Sequence, residues 1–173
     1  MKMLGIVNTK KLDSRTLRNL EKLEEYNLSY ITKNLIDDGI FPPEQIYPLK
    51  MFYGKADAAL AKKLELEFRR YIALKLIYPK LSFTPSRFVD MYWHLFMLYT
   101  KEYNEFCIKL YGRMLNHVPF DIEMEQNETG NEGTEPYERT RNTYVEIFGV
   151  IDKKMWPDIA RIIKLYQKKN LTF

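Results

Sequence analysis

Apolar residues along this chain recur mostly at the three- and four-residue spacing of an amphipathic helix. Leu17, Leu20, Leu23 and Tyr26 make the first such run, with Asp13 or Ser14 placed to cap it. Leu28 to Ile36 predicts a second, short helix, ended by Asp37-Asp38-Gly39. Phe41-Pro42-Pro43 and Pro48 predict a loop, because proline lacks an amide donor and disfavours helix in the residue before it. The longest pattern runs from Lys55 to Ile77. Leu60, Leu64, Phe68, Tyr71, Ile72 and Leu76 form its apolar face, and Pro79 closes it. Thr84 as a cap and Pro85 at the first helical position predict a helix from Pro85 to about Tyr99. Further helices are expected from Thr100 or Lys101 to Gly112, from Pro136 to Phe148 and from Lys154 to Lys169. No strand pair, internal repeat or heptad run interrupts this pattern.

Residues 121 to 136 differ in kind. Asp121, Glu123, Glu125, Glu128, Glu132 and Glu135 fall there without one basic residue, and Gly130 and Gly133 loosen the backbone. This reads as a solvated acidic loop. The expected architecture is therefore all-α: a single compact multi-helix domain with an acidic loop insertion. Residues 1–54 read as an N-terminal helical extension with a proline-containing loop, and 55–173 as the main helical domain.

Composition narrows this picture. A chain of 173 residues that is 46% hydrophobic is long and apolar enough to bury one real core. The 13 tyrosines and 10 phenylalanines are assigned mainly to that core. A net charge of +4 is too mild to argue for nucleic acid by itself. The single cysteine, Cys107, excludes an internal disulfide and points to a reducing compartment, so a cytoplasmic location is expected. No apolar run reaches membrane-spanning length, and the N-terminal run is too short for a signal peptide.

Several fragments then stand in a recognisable order. Glu67-Phe68-Arg69-Arg70-Tyr71, Pro79 and Thr84-Pro85-Ser86 lead into Val89-Asp90-Met91-Tyr92-Trp93-His94. Tyr103, Phe106-Cys107, Gly112 and Asn116-His117-Val118-Pro119 follow, and then Tyr137, Thr140, Tyr144, Phe148-Gly149 and Trp156-Pro157. This set resembles the glycine-rich-domain-containing-protein-like family, with its V-D-x-x-W-H-x-H and H-H-x-P pieces. The resemblance implies an α-helical domain and no assigned reaction. It also implies losses, since Phe96, Tyr99 and Asn116 stand where that family carries histidine, aspartate and histidine.

The candidate chemistry centres on Asp90, Trp93, His94, Cys107, Asn116 and His117. Asp90 and His94 are four residues apart and share a helix face. His117 and Cys107 would complete a conceivable metal-ligand set, since such sites need three or four side chains of these types. Packing is the favoured reading of each: Cys107 lies in Phe106-Cys107-Ile108, and His94 lies between Trp93 and Leu95. No catalytic residue, cofactor or metal is therefore expected, with Asp90, His94 and His117 kept as weak metal candidates. No phosphate-binding glycine loop, dinucleotide fingerprint or H-E-x-x-H motif is present.

The leading expectation is a non-enzymatic interaction or assembly module, binding other proteins in a larger assembly, in the manner of a viral or phage structural component (hence in a virion). It follows from the apparent loss of a polar site and from the aromatic content. One alternative is a metal-dependent enzyme using Asp90, His94 and His117. Another is a nucleic-acid-binding accessory protein. Its basic face would join Lys10, Lys11, Arg15 and Arg18 to Lys153, Lys154, Arg161, Lys164, Lys168 and Lys169.

Overall fold

The computed structural model describes residues 3–7, 12–38, 56–117, 135–162 and 164. Its helices are α1 (Ser14–Glu25), α2 (Ser29–Asp37), α3 (Ala58–Ile77), α4 (Arg87–Leu98), α5 (Thr100–Tyr111) and α6 (Glu135–Phe148). No strand occurs among the described residues, and the fold is an all-α multi-helix domain. No helix among the described residues is long and apolar enough to cross a membrane.

Local sequence explains most boundaries. Asp13 caps α1 by accepting hydrogen bonds from the Arg15 and Thr16 amides at 2.8 and 2.9 Å. Asp57 caps α3 through the Leu60 amide. Gly112 ends α5 in the left-handed region, at φ 71°, where a side chain would be strained.

Several boundaries differ from the sequence reading; α3 starts at Ala58 and not Lys55, because Asp57 caps it. Helix α4 is capped by Ser86, not Thr84, and begins at Arg87. The Ser86 hydroxyl accepts from the Val89 amide, whereas the Thr84 amide is engaged by the Thr140 hydroxyl at 3.0 Å. The last helix does not begin at Lys154. Residues 153–155 form a turn over Asp152, which accepts from the Lys154 amide, and helix resumes at 159 behind an Asp158 cap. The expected proline loop at 41–48 lies outside the described residues. So does most of the acidic segment; its end was placed at 136, but α6 already begins at Glu135.

Helix α3 is the axis of the domain, and α1, α2, α4 and α6 all pack against it. Its middle is buried all round, so it is a core helix rather than an amphipathic surface helix. Phe68 sits at the centre. Its ring lies 5.1 Å from Tyr92, 6.0 Å from Phe96 and 6.1 Å from Phe106. Leu20 and Leu23 of α1 and Ile31 and Leu35 of α2 join the same core, so the first two helices are structural members of the domain.

Several described tyrosines point inward. Tyr71 donates to the Phe83 carbonyl, Tyr111 to Ile72 and Tyr137 to Pro157, so these three hydroxyls satisfy backbone acceptors. Buried charge is likewise paired. The Glu67 carboxylate accepts from Tyr144 at 2.7 Å and from the Trp156 indole at 2.8 Å. Arg69 donates to the Leu23 and Tyr26 carbonyls at the end of α1 and to Glu65. These bonds tie both ends of the described chain to α3.

Candidate metal centre

Asp90 lies in the first turn of α4, where the helix dipole favours a carboxylate. One turn later, on the same face, stands His94. The third member, His117, arrives from the segment after α5. Gly112 turns the chain there, and residues 112–117 run back toward α4.

The three side chains converge. His117 Nε2 is 2.6 Å from Asp90 Oδ1, and His94 Nδ1 is 3.4 Å from Asp90 Oδ2. The two imidazole rings are 4.4 Å apart between centroids. His94 Nδ1 also lies 2.9 Å from the Asp90 main-chain carbonyl. In the Nδ1-protonated tautomer this nitrogen donates to that oxygen and Nε2 is the atom left to ligate. A carbonyl in this role is the usual outer partner of a ligating imidazole. The site is graded in exposure: the side chains of His117 and Asp90 are 3% and 9% exposed, that of His94 36%. One wall is therefore dry and the other faces solvent.

The residue types are those that ligate an ion, and they stand close together. One ligand atom from each of Asp90, His94 and His117 lies within 4.8 Å of the other two. Bonds of about 2.0–2.2 Å in a tetrahedral shell place ligand atoms about 3.3–3.6 Å apart, so an ion would part the 2.6 Å His117–Asp90 contact and draw His94 inward. Two neutral imidazoles and a carboxylate suit zinc or ferrous iron better than calcium or magnesium, which prefer all-oxygen shells.

The remaining candidates fall into supporting or peripheral places. The Trp93 ring meets His117 edge-on at 4.4 Å, and its indole donates to the Tyr103 hydroxyl at 3.0 Å. Cys107 is fully buried beside Tyr103 and the Leu115 amide, and burial pushes its thiol up, which disfavours the ligating thiolate. It is not a member of the cluster. Asn116 is exposed beside His117. Packing is the favoured sequence reading for His94; its ring hydrogen-bonds the Asp90 carbonyl and its side chain is 36% exposed. Sequence reasoning gave no role to Tyr103, because its link to Trp93 and the 112–117 segment arises only when α4 and α5 fold together.

Elsewhere, a surface cavity of about 650 Å³ is lined by Lys62, Lys63, Glu67, Arg70, Phe148 and Asp152 among others. None of the three cluster residues lines it. Of the basic residues expected to meet, Lys10, Lys11, Lys168 and Lys169 lie outside the described residues.

Fold and site together define an all-α domain with a two-histidine, one-carboxylate cluster between α4 and the segment after α5. The chain belongs to the UCP032817-like family, whose model matches residues 31–141 and so contains the whole cluster. Neither the curated proteins nor the solved structures gave a match. The family result corrects the resemblance to the glycine-rich-domain-containing-protein-like family. Of the pieces that carried it, Val89 and Trp93 are core contacts and Gly112 is a helix cap, while Tyr144, Phe148-Gly149 and Trp156-Pro157 lie beyond the matched stretch. With it goes the reference pattern that made Phe96, Tyr99 and Asn116 look like lost ligands.

Proposed function

We propose that this protein is a metal-binding helical domain that holds one divalent transition ion between Asp90, His94 and His117. The observation that carries the reading is the approach of one ligand atom from each residue to within 4.8 Å. It is supported by the half-exposed His94 opposite the buried His117. Three protein ligands leave a coordination position for water or substrate, which is the arrangement of catalytic rather than closed structural sites. A metal-dependent enzyme is the activity class this favours. Such an ion polarises a bound oxygen or lowers the pKa of bound water.

Cobalt(II) titration of chelator-treated protein tests this. The expected result is one equivalent bound with a visible ligand-field band, lost in both His117→Ala and Asp90→Ala. No band, or a band that survives both substitutions, refutes the reading.

A second reading, an interaction or assembly module, rests on a different observation. Val150 is 80% exposed and Val7 65%, and Val7 lies against Gly149, the neighbour of Val150. Self-association through these side chains is its simplest form. Sedimentation at high protein concentration is expected to show an oligomer that Val150→Asp dissolves. A monomer throughout removes this reading.

A further inference from the structure

The cluster depends on a side chain that has no helix to stand on. Asp90 and His94 are fixed by α4, but His117 sits at the end of the 112–117 segment and must be held by tertiary contacts. Resting on the metal-binding reading, we propose that Tyr103 is the positioning residue of the site, holding the segment that presents His117 to the ion.

Three elements meet at one phenol oxygen. Tyr103 stands on α5, and its hydroxyl donates to the Leu115 carbonyl at 2.6 Å, two residues before His117. The same oxygen accepts from the Trp93 indole of α4 at 3.0 Å. Trp93 precedes His94 in sequence and touches the His117 ring with its own. One donor and one acceptor are thus both used, each on an element that borders the site. The ring is 5% exposed and packs edge-on to Phe96 at 5.3 Å, so its direction is set by the core. The Cys107 thiol lies against the same group.

Tyr103→Phe keeps the ring and removes this junction. The Leu115 carbonyl and the Trp93 indole lose a shared partner, and the segment gains freedom to move His117 away from Asp90. Loss of a group that hydrogen-bonds a ligand directly weakens metal affinity by about 10–100-fold; Tyr103 acts one step further out, so a loss at the lower end, about tenfold, is expected.

The test measures cobalt(II) affinity and the visible spectrum of wild type and Tyr103→Phe, with the thermal midpoint of the metal-free forms alongside. Trp93→Phe is a second variant, which retains a ring against His117 and removes the indole donor. Expected are an about tenfold weaker Kd and an altered ligand-field band in Tyr103→Phe, with a smaller loss in Trp93→Phe. A lowered midpoint with unchanged affinity and spectrum overturns the proposal, because a purely structural tyrosine gives that result. If Tyr103→Phe does not fold, wild-type affinity in Trp93→Phe overturns it. If wild type binds no cobalt, the metal-binding reading itself falls. Binding that is equal in wild type and both variants sinks the positioning role alone.

Discussion

Removing one ligand at a time separates binding from folding. Consider zinc added to metal-free protein at a hundred times its dissociation constant. Binding to the native state alone stabilises it by about 2.7 kcal/mol. Unfolding entropy near the midpoint is about 2.1 cal/mol/K per residue, or about 0.36 kcal/mol/K for 173 residues, so Tm should rise by about 7 °C. Asp90→Asn preserves the volume between the two imidazoles but removes the charged ligand, so the zinc-dependent rise should vanish. His117→Ala should abolish it too and also lower the metal-free midpoint. It strips the 2.6 Å partner from a carboxylate whose side chain is only 9% exposed. An orphaned buried acceptor costs about 1–3 kcal/mol, or about 3–8 °C here. Differential scanning calorimetry with and without zinc reads both effects. A wild-type midpoint that zinc leaves unmoved, or a rise that persists in both variants, refutes the reasoning.

Three further outcomes follow from the fold. Gly112→Ala should cost about 1 kcal/mol by denaturant titration, because an added Cβ meets nothing within 4 Å and only the left-handed φ of 71° is strained. Cys107 should resist Ellman's reagent at pH 8 and react fully in guanidinium, since burial raises its thiol pKa; rapid reaction of the native protein would contradict that burial. The Lys63 ammonium beside Asp152 holds that carboxyl below its ordinary value of 3.8. The pair's stabilisation is therefore present above pH 3.8 and lost as pH falls through the lower native value. Both partners are well exposed, at 43% and 28%, so Asp152→Asn should cost no more than about 1 kcal/mol at neutral pH, shrinking in acid.

Several features were legible because they are local. Asp13 as a cap and the long α3 follow from side-chain chemistry and periodicity within a few residues. The cap of α4 was misplaced by two residues because Thr84 and Ser86 are both good caps. Thr84 is instead bound through its amide to the Thr140 hydroxyl, 56 residues away, a contact no local signal announces. Among the described residues most aromatics belong to the core, as composition suggested, with Phe68 and its neighbours filling the space around α3.

The site divides in the same way. Spacing alone put Asp90 and His94 on one face, because a helix brings every fourth residue round to the same side. Whether His117 joined them depended on a left-handed glycine, a returning segment and a tyrosine on another helix. The glycine is a local stop signal, but the returning segment and the tyrosine junction have no signature within the reach of local periodicity. The sequence by itself determined the helices and which residue types were available for chemistry. Only the tertiary structure decided that His117 meets Asp90 and Cys107 does not, because ligand convergence depends on how separate helices pack.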